Sequence, residues 1–429
     1  MKKWLRRTMT FIFATTLMAT VGCSSNSSSG SASSDGKEKI KIVWAHGKDD
    51  TPQSKKLVEA FNAKHKNIEV VELEMPQKSD AQHDDYVTKL AAGDTSIDVF
   101  SLDIIWPAEF GAAGWLEPLN NYFSKEDLEK LLPGPVEGTQ YKGKQIAIPL
   151  YTDAGVLFYR KDILQKYGKQ PPKTFEELMS LAKELQGKEG TKYGFVFQAN
   201  QYEGLVCDWL EYVWANGGNV LDKDGKVVVN SPNTIEATKF MKDLVTQVAP
   251  PGVTTYQEPE SLAVFLEGKA VFHRNWPYAW KASSGPESKI KGKVGVIPMP
   301  KGPKGTSGAA TLGGWNLGIN KNIDEKKKEA AVKFIKFAVS PEGQKIVAIE
   351  GGRLPVLKEM YKDPEVLKAN PYFAEFFEPL MAAKPRPVSP KYPEISDSIQ
   401  RNIHKVLTGG LSAEEAVANI QKEIETIVK

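Results

Sequence analysis

Apolar positions along most of the chain follow one of two periods, and their alternation predicts strands and helices in turn. Ile40 to Trp44 is an apolar-rich run of strand length, and Ile68 to Met75 and Ile97 to Leu102 are two more. Between them, Leu57, Val58 and Phe61 share one stripe of a helix predicted over 54–65, and a second helix is predicted over 84–92. A βαβαβ opening implies an α/β sheet with much parallel pairing, covered by helices on both faces. Ligands of such sheets gather at the carboxyl ends of strands, where Asp103 follows the third one.

The pattern changes at 145–159. Ile146 to Tyr151, which contains Pro149, runs into Val156 to Tyr159, and this predicts two extended segments and a crossing between lobes. Thr174 and Glu177 open a helix that should bury Leu178, Leu181, Ala182 and Leu185. Residues 292–298 are again extended and mark a return crossing. A helix over 324–338 carries Val332, Ile335 and Phe337 inward and stops before Pro341, with Lys326, Lys327 and Lys328 on a solvated face. Two helices end the chain: 394–407, with Ile395, Ile399, Ile403 and Val406 in register, and 412–428, opened by Ser412 and Glu415.

A length of 429 residues, 41% of them hydrophobic and 25% charged, supports two or three folded domains and excludes disordered, collagenous and multi-span membrane classes. The net charge of +3 misleads, because Lys2, Lys3, Arg6 and Arg7 contribute four positive charges in a stretch, 1–22, without acids; without it the balance is −1. That charged start, the apolar run Met9 to Val21 and the small residue before Cys23 resemble a bacterial lipoprotein signal, in which the cysteine is lipidated; Thr20 stands where the motif usually has Leu. A plain cleaved signal is the alternative. Eight of the eleven residues from Ser24 to Ser34 are serine, a flexible tether. With Cys23 lipidated, Cys207 has no partner, and the body folds without a disulfide.

Enzyme and cofactor motifs are absent. The sequence has no phosphate loop, no H-E-x-x-H, no C-x-x-C and no G-x-S-x-G, and its histidines form no i,i+4 ligand pair, so neither a metal nor a cofactor is expected. Beyond residue 22 only Arg160, Arg274, Arg353, Arg386 and Arg401 are arginines, which argues against nucleic-acid recognition. Aromatic residues beside Asp, Arg and Gly in non-helical segments do stand out: Asp103 to Trp106, Tyr151 to Asp153, Asn275 to Tyr278, Gly313 to Trp315, and Pro385 to Pro387. Rings stack on the C–H faces of sugars, while carboxylates and guanidinium groups meet their hydroxyls. Each has a structural alternative: Asp103 as a turn cap, Trp276 and Trp315 as core, Arg386 as part of a stiff linker.

Several of these segments, in order, resemble the trehalose/maltose-binding proteins of ABC sugar importers: Val99 to Trp106, Gly114 to Leu119, Thr152 to Asp162, Gln201 to Cys207, Arg274 to Trp280 and Ala310 to Trp315. The resemblance runs from about residue 40 to the C-terminus. It implies a two-lobed periplasmic-binding-protein-like fold of type II, with three hinge segments and ligand in the cleft between lobes. The expected division is 1–22 signal, 23–36 tether, 37–148 with 293–345 as lobe 1, and 149–292 with 346–429 as lobe 2. It also implies that Asp103 and Asp153 accept from sugar hydroxyls beside Tyr151, that Trp276 and Tyr278 wall the pocket, that Gly314 and Trp315 close it, and that Arg386 donates its fork. Asp50 and Gln82 stand where relatives contact sugar, although the surrounding residues match poorly.

The function so implied is that of a monomeric, lipid-anchored receptor outside the cytoplasm. It captures a disaccharide of the trehalose, maltose or sucrose class and passes it to a membrane permease. A secreted glycoside hydrolase using Asp103 and Asp153 is the rival from another class; a surface adhesin is a third.

Overall fold

The computed structural model describes residues 39–429 except 77, 223, 375, 376, 378, 379, 381 and 382; the expected signal, the serine tether and Cys23 lie outside the described residues. Strand β1 (Ile40–Gly47) pairs in parallel with β2 (Ile68–Met75) and β3 (Val99–Asp103). Helices α1 (Gln53–Lys64) and α2 (Ser79–Ala91) make the two crossovers, and α1 buries Leu57, Val58 and Phe61 as its stripe predicts. Every residue of β3 is buried, as expected for a strand covered on both faces.

Further strands are β4 (Ile148–Ala154), β5 (Val156–Arg160), β6 (Tyr193–Val196), β7 (Ala270–Asn275), β8 (Val294–Pro298), β9 (Leu312–Ile319) and β10 (Leu354–Pro355). They complete two sheets: a six-stranded one in the order β10-β4-β9-β3-β1-β2 and a four-stranded one in the order β8-β5-β7-β6. Helix α3 (Phe175–Leu185) packs on β6 and buries the expected residues except Leu181, which is half-buried at the margin of that core. Helix α4 (Glu203–Ala215) is buried along its whole length and is covered by α5 (Tyr392–Thr408), whose Ile395, Ile399, Ile403 and Val406 face inward. The result is the two-lobed α/β architecture that the resemblance implied.

The crossings lie later than expected. β4 belongs to the first sheet through Ala154, so the chain leaves that sheet at Gly155 rather than after residue 148. β8 pairs with β5 in the second sheet, so the return falls between β8 and β9 rather than at 292/293, and β10 still pairs with β4, beyond 345. Pro149 does not end its strand because the ladder is irregular there: Trp315 faces Tyr151 while Asn316 faces Pro149. The Leu150 carbonyl, left over by that shift, accepts from Gln344 Nε2 at 2.8 Å. The lysine run also differs from expectation, since Lys327 reaches the buried Asp98 at 2.9 Å and Lys328 pairs with Glu117 and Glu325.

Candidate ligand cleft

The carboxyl ends of β1, β3 and β4 and the start of β9 form one wall of a cleft; α4 and the segment after β7 supply the other. Its empty space is about 1160 Å³, counted to the solvent at its mouth. All ten residues singled out in the sequence line it: Asp50, Gln82, Asp103, Tyr151, Asp153, Trp276, Tyr278, Gly314, Trp315 and Arg386. Register explains the convergence on the first wall. In the antiparallel ladder Trp315 faces both Asp103 and Tyr151, and Gly313 faces Asp153.

Asp103 serves its turn and the cleft together: Oδ1 accepts from the Ile105 N–H at 3.3 Å and from Arg386 Nη2 at 2.9 Å. Arg386 Nη1 donates to Glu203 Oε1 at 2.7 Å, so both terminal nitrogens of its fork are held by carboxylates, one from each wall. Glu203 in turn accepts from Tyr392 at 2.6 Å and from the Ser396 hydroxyl. Burial pushes the Glu203 carboxyl up, and the Arg386 charge opposes that.

Asp153 is 5% exposed, and its Oδ1 has no protein partner. Desolvation raises its pKa from 3.8 to about 7; the nearby Arg353 pulls it down and Asp103 adds to the rise. Gln82 is fully buried; its Nε2 donates to Tyr86 at 2.8 Å while Oε1 is unpartnered within the protein. Gly314 has φ 135°, and a Cβ there would come 2.6 Å from the Tyr151 carbonyl, so only glycine fits. Trp315 packs edge-on against Trp106 at 5.5 Å. Trp276 donates from Nε1 to Glu258 at 3.3 Å. Asp50 sits exposed at the mouth, 3.8 Å from Lys48.

Sequence reading missed Glu203, Glu258 and Arg353 as site residues. Arg353 lies over the Tyr151 ring at 4.5 Å and the Tyr278 ring at 5.3 Å, and it reaches Asp49 at 3.4 Å. Its sequence signal was the scarcity of arginine. The cleft therefore combines aromatic faces with buried polar atoms that the protein leaves unmet: Oε1 of Gln53 and Gln82, Oδ1 of Asp153, and Nε of Arg353 and Arg386. Buried polar atoms in folded proteins are normally paired, so acceptors and donors grouped this way fit a ligand bearing several hydroxyls. Among the described residues no cluster of ligating side chains could hold a metal ion, and no helix is long and apolar enough to cross a membrane.

Comparison with known proteins agrees with this geometry. The bacterial extracellular solute-binding protein family matches residues 45–345. The chain belongs to that family. This solute-binding protein is similar to a probable ABC transporter-binding protein of Deinococcus radiodurans, 36% identical over 364 residues that cover 83% of this chain and 86% of the relative. A maltotriose-binding protein of Pyrococcus abyssi is 29% identical, with 90% of this chain and 82% of the relative covered. Among solved structures, maltose-bound MalE3 of T. maritima matches with a TM-score of 0.87 and 47% identity over 90% of this chain and 100% of that one. The architecture is thus that of the periplasmic-type receptors, and family membership places the protein's work outside the cytoplasm. These relatives are binding proteins rather than enzymes, which overturns the hydrolase built on Asp103 and Asp153.

Proposed function

We propose that this solute-binding protein captures a disaccharide of the maltose class, with trehalose and sucrose as the neighbouring candidates, and delivers it to the permease of an ABC importer. The observation that carries the reading is the set of unmet buried polar atoms beside Trp276, Tyr278 and Trp315 in a cleft drawn from both lobes. Similarity to a maltose-bound structure at 47% identity and to a maltotriose-binding protein supports the sugar class. Groups on both walls bind sugar better when the lobes are close, so the ligand shifts the population toward closure and the closed receptor is what the permease meets. The protein acts as a monomer held to the membrane by lipid on Cys23, with the serine tether between.

Calorimetry against maltose, trehalose, sucrose and maltotriose tests the reading. Saturable one-site binding to at least one disaccharide is expected, with no reducing sugar released beyond an Asp153→Asn control. Turnover above that control contradicts the binding role, and no affinity for any free sugar favours the adhesin. Cys23→Ser is expected to release the protein from membranes; retention on the membrane contradicts the anchor.

A further inference from the structure

Behind the aromatic wall lies a buried ion pair outside the cleft lining. Arg274, in β7, is fully buried. Its Nε and Nη2 donate to the two oxygens of Glu211 at 2.9 and 2.5 Å, and Nη1 reaches Asp208 at 2.8 Å and Gln198 at 3.2 Å. These contacts use the guanidinium edge and leave its face available. That face lies 4.1 Å from the ring centroid of Trp276. The same ring rests on the start of β9, where a Cβ on Gly313 would come 3.0 Å from its Cζ3.

The pair also sits where the chain passes between lobes. Gly155, the single residue between β4 and β5, has no room for a side chain: a Cβ would enter the Glu211 carboxylate and come 2.5 Å from Arg274 Nη2. The second crossing ends at Thr311, whose N–H donates to Glu211 Oε1 at 3.2 Å and whose hydroxyl donates to the Cys207 carbonyl at 2.9 Å. The chain segment between β10 and α5 joins them there, with Leu312 N–H donating to the Lys384 carbonyl at 2.8 Å and Lys384 N–H to the Ala310 carbonyl at 2.9 Å. Moving either member of a buried, hydrogen-bonded ion pair strands a charge, so the pair moves as a unit. Backbone at the end of the second crossing is thus bonded to Glu211, and Arg274 joins Glu211 to the seat of Trp276.

We propose that Arg274 and Glu211 are positioning residues that couple the seat of Trp276 to the hinge, so that sugar stacked on this ring and the angle between the lobes are set together. The inference rests on the reading of the cleft as a sugar site. A double-mutant cycle on the full chain tests it, combining Glu211→Gln with Trp276→Ala and reading maltose affinity by calorimetry and sugar-induced compaction by small-angle X-ray scattering. Coupling predicts that Glu211→Gln weakens maltose about tenfold or more in the wild-type background, but less than about threefold once Trp276 is alanine, and that it reduces compaction. A lower melting temperature with the same fold-loss in both backgrounds and unchanged compaction overturns the proposal. If Glu211→Gln does not fold, Gly313→Ala presses a methyl on Trp276 from the hinge side; weaker maltose binding with reduced compaction supports coupling, and wild-type values overturn it. If the wild type binds none of the sugars, the sugar reading fails by itself. The ligand-free scattering profile then decides the coupling, since either substitution is expected to change the radius of gyration and an unchanged value overturns it.

Discussion

Asp98 and Asp103 lie at the two ends of β3, and each accepts from a backbone N–H and from a cationic side chain, but the buried polar groups around them are satisfied differently. At the far end, Asp98 accepts from the Val43 N–H at 2.7 Å and from Lys327 at 2.9 Å, and Asn320 donates to the carbonyls of Asp94 and Ile97 at 2.8 and 2.9 Å. At the cleft end, Asp103 shares Arg386 with Glu203, while Gln53, Gln82 and Asp153 each bury an oxygen without a protein partner. Burial is similar at both ends, so burial does not separate structure from function here. What differs is that unmet buried polar atoms are grouped at the cleft end, whereas elsewhere they occur singly, as at Asp85, Tyr212, Ser283 and Asn370.

The comparison is broken most readily at the aromatic wall. Trp276→Ala is expected to weaken maltose by about 100-fold, roughly 2.7 kcal/mol, measured by calorimetry. A loss below threefold would mean that the ring is core, as its surroundings alone could suggest. A sharper version exchanges the two aspartates. Asp103→Asn should weaken maltose by about 10-fold or more with a small change in melting temperature. Asp98→Asn should leave affinity within about twofold and cost about 1–3 kcal/mol of stability through loss of the buried carboxylate that accepts from the Val43 N–H and the half-buried Lys327. Equal affinity losses at both positions would erase the distinction between the two ends.

Asp153 gives a pH test. Its folded pKa of about 7 lies above the ordinary value of 3.8, so the folded chain keeps a proton that the unfolded chain loses. Its contribution to stability is therefore full below about pH 4 and falls as pH rises to about 7, by at most about 1.4 kcal/mol per pH unit. Asp153→Asn should flatten that decline, as read by thermal melts between pH 4 and 8. A sugar hydroxyl donating to the ionised carboxylate would lower its pKa, so maltose affinity should rise from pH 6 to 8, with proton release in calorimetry near pH 6.5. An affinity independent of pH would place the sugar away from Asp153. Among the cleft residues tested, the smallest expected loss of affinity is at Glu258. Glu258→Gln keeps the side-chain shape but loses the charge that holds Tyr202 at 2.7 Å and Trp276 at 3.3 Å, and a loss within about 10-fold is expected.

Much of this was legible in the chain, for physical reasons. Apolar runs of strand length, helical stripes and capping boxes placed β1 to β5, β8 and helices α1, α2, α3 and α5, whereas β6, β7, β9, β10 and α4 carried no such reading. Aromatics beside Asp, Gly and Arg in non-helical segments marked the cleft, although Tyr151 and Trp315 prove to lie in strands β4 and β9, and Gly314 is required by the close Tyr151 carbonyl rather than by a loop. The crossings were misplaced because Pro149 reads as a strand end. Only the irregular ladder opposite it and the Gln344 side chain reveal that the strand continues. Arg353 and Glu203 escaped because their meaning depends on partners far along the chain: Asp49 and Tyr151 for the first, Arg386 and Tyr392 for the second. The Lys327 salt bridge to Asp98 was hidden in the same way, inside a run that reads as solvent-facing.

A crystal structure of the protein grown with maltose tests the central claim most directly. The account predicts one maltose in the cleft, stacked on Trp276 and within hydrogen-bond distance of Asp153 Oδ1 and Gln82 Oε1, with the sugar intact. Maltose bound elsewhere, or a cleft whose buried oxygens remain without partners at saturating sugar, would contradict it.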